Sequence, residues 1–97
     1  MLEKIMEEDI KGLFKARESY GDSWIKRGGV GAFMMLARKW DRIELKMRDY
    51  DPPDVVRAVV EDQRAEGIID DIRDLRRYLL LVSAYWLNPE EYIHNLS

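Results

Sequence analysis

The chain has 97 residues, 46% of them hydrophobic and 36% charged, with a formal net charge of −3. That is the length of a single domain with a modest core, and the negative charge excludes the basic footprint of a general nucleic-acid binder. With no cysteine, disulfides, thiolate catalysis and Cys-based metal centres are excluded. Six Gly and three Pro are too few for a sandwich or barrel of many tight turns.

Residues 2–19 place Leu2, Ile5, Met6, Ile10, Leu13 and Phe14 at the three- and four-residue steps of an amphipathic helix. Gly12 weakens that helix, and Gly21 ends it, since glycine accepts a left-handed backbone. The next stretch, "ESYGDSWIKRGG", is a polar turn dense in unusual residues. A second helix is expected from near Val30 to about Asp49, with Phe33, Leu36, Trp40, Ile43 and Met47 on one stripe. "DYDPPD" breaks the chain, because Pro52 and Pro53 cannot continue a helix but can start one. Val55, Val56, Val59 and Val60 give a third helix over residues 53–65, against valine's own leaning to strand. After Gly67 a fourth helix runs from Ile68 to about Leu87, its inner stripe Ile72, Leu75, Leu79, Val82 and Trp86. Asn88 and Pro89 end it, and a short tail forms one more turn.

Four helices with short connections, no repeat and no linker make residues 1–97 a single all-α domain, a four-helix bundle. "YLLLVSAYWL", residues 78–87, is apolar nearly all round, so it is expected to pack against another subunit of a homo-oligomer. The acidic N-terminus is not a signal peptide, and the longest apolar run is about half a bilayer span. The expectation is a cytoplasmic protein that meets neither a membrane nor a nucleic-acid polymer.

Nucleophilic catalysis has little to build on: the one histidine, His94, lies in the tail, and no serine has a triad partner nearby. The carboxylates carry more. Asp41 and Glu44 on the second helix, and Asp70, Asp71 and Asp74 on the fourth, sit three or four residues apart and so share helix faces. If the two helices pack side by side, their oxygens converge as hard ligands suited to Mg²⁺ or Mn²⁺. The competing reading pairs each acid with a neighbour: Asp70 with Arg73, Asp74 with Arg77, Glu44 with Arg48, as exposed ion pairs of little worth. On a helical wheel Asp70 and Asp74 lie opposite the inner stripe, on a side that Leu81 makes apolar farther along. Lys39 and Arg42 are either phosphate ligands or snorkelling surface residues. Arg17, Lys26 and Arg27 bring positive charge to the turn, where the Gly28-Gly29 amides at a helix N-terminus make a natural anion site. "GGVG" lacks the Gly-Lys-Ser/Thr ending of a Walker loop. Tyr20 and Trp24 either stack a base or close the end of the core.

"YGDSW", "LARKWDRIE" and "DDIRDLRRYLLL", in that order over residues 15–82, resemble the nucleotide modification associated domain of phages and bacteria. That family is similar to the MazG-like all-α nucleoside triphosphate pyrophosphohydrolases. The resemblance matches Tyr20, Gly21 and Asp22 to the turn, Lys39 and Arg42 to a basic pair, and Asp70, Asp74 and Tyr78 to the last motif. It implies a MazG-like fold and a dNTP-like ligand bound by Tyr20, Asp22, Trp24, Lys26, Arg27 and Tyr78. It further implies a pyrophosphohydrolase in which Asp41, Glu44, Asp70, Asp71 and Asp74 hold Mg²⁺ or Mn²⁺ while Lys39 and Arg42 stabilise developing charge. Asp41 and Glu44, a gap of 26 residues, then Asp71 and Asp74 imitate the acidic pattern of MazG-like enzymes, with Asp for Glu at the first and third positions. The alternatives are a nucleotide binder without catalysis and a structural or interaction bundle.

Overall fold

A computed structural model of the chain describes residues 1–62 and 67–91, apart from the side chain of Tyr20. The expectations for residues 63–65 and for His94 lie outside the described residues. Every regular element described is helical: α1 (Leu2–Tyr20), α2 (Gly28–Lys46), α3 (Val55–Glu61) and α4 (Ile68–Leu87), with 3₁₀ turns at Ser23–Ile25 and Met47–Asp49. The all-α class follows. Among the described residues no helix is long and apolar enough to cross a membrane.

Boundaries moved where local chemistry differed from the stripe. α2 begins at Gly28 rather than Val30, because Gly28 takes φ 72° and turns the chain straight into the first helical residue. Its stripe continues past Lys46 only as the 3₁₀ turn to Asp49. Neither proline enters α3. The Asp51–Pro52 bond is cis, and Asp54 caps the helix by accepting from the Arg57 N–H at 3.0 Å. Gly21, with φ 60°, closes α1 and donates its N–H to the Arg17 carbonyl at 2.8 Å. Before α4, Asp62 accepts from the Ile68 N–H at 2.8 Å and satisfies one orphan donor of that helix.

α2 and α4 form the framework. Asp71, near the start of α4, meets Arg42 and Lys46 near the end of α2, and Asp74 meets Lys39 one turn back, so the helices run antiparallel. A small core of Ile43, Ala58 and Ile68, flanked by Met47, Tyr50, Val59, Ile72 and Leu75, closes one end where α3 covers the pair. At the other end Ile25 and Ala32 are buried.

The stripes read from the sequence are present but only partly covered. Along α4 exposure climbs from 1% at Ile68, ahead of the stripe, to 47% at Leu79 and 86% at Trp86 within it. On α2, Ile43 is buried while Phe33 and Trp40 lie open. α3 is seven residues long and reaches only the first turns of α4. The Cα radius of gyration is 15.2 Å, against about 12.5 Å for a compact chain of this length.

Candidate functional site

α1 leans on α4 through one buried acid. Asp9 lies on the stripe side of α1, level with Leu2 and Leu13, and is almost wholly buried. Its carboxylate accepts from Arg76 Nε at 2.5 Å, Arg76 Nη2 at 2.8 Å and Arg77 Nε at 2.9 Å. Arg77 also donates to the Glu8 carbonyl at 3.1 Å. The hydrogen bond from Arg76 outweighs the opposing cost of burial, and with Arg77 it lowers the Asp9 pKa to about 2. Gly12 explains itself here: a Cβ at that position would run into the Arg77 guanidinium. The glycine that weakens α1 as a helix lets α1 and α4 approach.

Beside this clamp, α1, the Ser23–Ile25 turn and the second half of α4 enclose a cavity of about 450 Å³. Small-molecule sites span roughly 300–1,000 Å³. One wall is aromatic: the Trp24 ring lies 6.4 Å from Tyr78 and 6.0 Å from Tyr85, tilted by 33° and 41°. Ring pairs at these separations lie within the range where aromatic quadrupoles attract. Phe14, Leu13 and Leu81 add apolar lining, while Arg17, Asp22, Ser23, Asp74, Arg77 and Glu91 form the polar part of the lining. Arg77 is engaged by Asp9 and Asp74 by Lys39 at 2.9 Å. The Arg17 side chain makes no ion pair with any described residue, so of the two rim arginines it is the one not engaged by a described acid.

Of the residues singled out in the sequence, Asp22, Trp24, Asp74 and Tyr78 line this cavity. Lys26 and Arg27 are exposed beyond it at the entry to α2, and neither lines it.

The carboxylates of α2 and α4 are arranged differently. Asp71 is buried between the helices, accepting from Arg42 Nε at 2.8 Å and Lys46 Nζ at 2.6 Å. Burial pushes its pKa up, but the hydrogen bond and charge of Lys46, then Arg42, prevail and hold it below the ordinary carboxylate value. Asp70 pairs with Arg73 at 2.6 Å, as the local spacing suggested. Glu44 accepts from the Trp40 indole N–H at 2.9 Å instead of pairing with Arg48. Asp41 is exposed on the outer side of α2. Among the described residues no three His, Cys, Asp or Glu side chains gather in a way that holds a metal ion. The donor set does not fit Mg²⁺ or Mn²⁺ in this arrangement, because Lys39, Arg42, Lys46 and Arg73 already neutralise the α4 acids that an ion would need.

Sequence reasoning passed over Asp9, Arg76 and Tyr85, and read Phe14 only as part of the α1 stripe. Asp9 had a signal, an acid set inside an apolar stripe. Tyr85 had one too, at seven residues from Tyr78 and so on the same face two turns later.

Comparison with protein-family models, curated proteins and solved structures yields no match to the chain. Fold and site together describe an all-α chain with an aromatic-walled cavity between α1 and α4, at whose rim Arg17 makes no ion pair with another described residue.

Proposed function

We propose that this chain is a nucleotide-binding protein that takes a dNTP-like ligand in the cavity between α1 and α4. The observation that carries the reading is the Trp24–Tyr78–Tyr85 wall beside Arg17, a rim cation without an ion-pair partner among the described residues. A base stacks on an aromatic face with about 1–3 kcal/mol per base, and a guanidinium grips phosphate oxygens with its planar fork. Tyr20 and Asp22 border the same turn. Lys26 and Arg27 lie outside the cavity, where they add positive charge near its entrance. The fold that goes with this reading is MazG-like, with four helices bundled in an oligomer.

Binding without hydrolysis is the form of the reading that the geometry favours. Lys39 and Arg42 are spent on Asp74 and Asp71, which leaves neither group free to stabilise a phosphoryl transition state. The pyrophosphohydrolase reading keeps one observation in its favour: the α2 basic pair and the α4 acids do meet across one helix interface. A thermal-shift panel of canonical and modified dNTPs, with and without Mg²⁺, separates the two. The binder reading predicts stabilisation by at least one nucleotide, because a ligand of the folded state must raise its melting temperature. It predicts loss of that shift in Arg17→Ala and no release of pyrophosphate. Pyrophosphate release that needs Mg²⁺ and disappears in Asp74→Asn establishes the enzyme instead, and no shift with any nucleotide refutes both.

A further inference from the structure

Asp9 is outnumbered by its partners. Its buried carboxylate takes hydrogen bonds from two guanidiniums, those of Arg76 and Arg77. One carboxylate shared by two cations neutralises neither in full, and a partly buried charge without a full counter-charge is costly. The two arginines are placed differently. Arg76 lines the apolar groove shared by α2, α3 and α4 and also feels the charge of Glu8. Arg77 lines the aromatic-walled cavity. Its Nε donates to Asp9 and its Nη2 to the Glu8 carbonyl, which fixes the plane of the guanidinium. Its Nη1 lies over Gly12, itself a lining residue, where no side chain covers it. Arg17, from the same half of α1, lines the cavity too and has no ion-pair partner among the described residues.

We infer that Arg17 and Arg77 form a subsite for one phosphomonoester group at the α1 edge of the cavity, so that a nucleotide with one phosphate binds more tightly than one with three. A phosphate monoester carries about −1.5 to −2 at pH 7. One free and one half-compensated guanidinium match that charge, and each can meet two phosphate oxygens with its planar fork. Holding Arg77 beforehand on Asp9 lowers the ordering cost of gripping the ligand. The rest of the lining opposes further phosphates. Its other charged members are all acids: Asp22, Asp74 and Glu91. Lys39 neutralises Asp74 at 2.9 Å, whereas Asp22 and Glu91 form no ion pair with a described residue. A cavity of 450 Å³ is about 10 Å across, roughly one Debye length at physiological salt. An acid anywhere in the lining therefore acts on a phosphate anywhere inside. Lys26 and Arg27 lie outside, and the stem of Arg27 crowds Gly31 of α2, a helix from which no described residue lines the cavity. The subsite deepens the nucleotide reading and rests on it for what carries the phosphate. A triphosphate enters the same cavity but is held more weakly.

Calorimetric titration at pH 7 with a chelator present tests this, using deoxynucleosides, their monophosphates, their triphosphates and deoxyribose phosphate. At least one monophosphate is expected to bind about tenfold tighter than its nucleoside, the scale of charge-assisted hydrogen bonds. The same monophosphate is expected to bind about tenfold tighter than its triphosphate, a gap that widens as salt is lowered. Arg77→Gln is expected to bring the monophosphate down to its nucleoside. Because that change also loosens Asp9, Glu91→Gln at an exposed position supplies a readout that leaves the clamp intact. It is expected to strengthen triphosphate binding and narrow the gap by about threefold. A triphosphate or a nucleoside that binds as tightly as the monophosphate overturns the subsite and leaves nucleotide binding in place. A wild-type ratio in Glu91→Gln also overturns it. Deoxyribose phosphate binding as tightly as the best monophosphate supports the subsite and refutes base stacking, and no binding by any of these compounds refutes both.

Discussion

Replacing Asp9 with Asn removes one negative charge from a site where two guanidiniums converge, while keeping the side chain's volume. Asp9 and its partners lie 67 and 68 residues apart in sequence, so the pair is a true tertiary link between α1 and α4. The folded carboxyl titrates at about 2 against an ordinary 3.8, a difference worth about 2 kcal/mol. The sign follows from the depressed value. The stabilisation is fully present above the unfolded pKa and is lost as pH falls through the folded one. Asp9→Asn therefore costs about 2 kcal/mol at neutral pH, or a melting temperature lower by about 10 °C for a domain of this size. Urea unfolding of both proteins, at equal concentration and from pH 7 downward, measures it. The gap between them is expected to halve near pH ~3 and to be nearly gone at pH ~2. A gap below about 0.5 kcal/mol at neutral pH, or one that persists unchanged into acid, refutes the account of how α1 is held.

Three more outcomes follow from the same geometry. Asp71→Asn leaves Arg42 and Lys46 facing a neutral group between α2 and α4 and is expected to cost about 3 kcal/mol by chemical denaturation. Ile68→Ala opens a cavity in the core beside Ile43 and Ala58 and is expected to cost about 3 kcal/mol by the same measurement. Gly12→Ala gains about 1 kcal/mol of helix propensity but drives a methyl into the pinned Arg77 guanidinium. It is expected to destabilise the wild type and to stabilise an Arg77→Ala background, a reversal that a double-mutant cycle reads directly.

The helices were legible because their stripes are strong, and the residues of each stripe lie on one side as read. What covers a stripe is not written in its period. Trp40 and Trp86 carry the same spacing as Ile43 and Ile68, yet the first two are open and the last two buried. Neighbours decide that, and α3 is too short to supply them along all of α4. The ion pairs show the same limit. Asp74 is three residues before Arg77 and a local pair was expected, but Arg77 turns to Asp9 and Asp74 to Lys39. A buried acid outcompetes a solvated one for a guanidinium, because its need for a counter-charge is greater. Asp22 and Trp24 of the turn, implied as ligand contacts by the resemblance, line the cavity. Its far wall on α4 was only half recognised, through Tyr78 without Tyr85.

The central claim is that a nucleotide stacks on Trp24. Its most direct measurement is tryptophan fluorescence during titration with dNTPs, compared between the wild type and Trp24→Phe. The account predicts saturable quenching by at least one dNTP in the wild type and none in Trp24→Phe, since Trp40 and Trp86 lie away from the cavity. Quenching that survives unchanged in Trp24→Phe, or no quenching by any dNTP in the wild type, contradicts it.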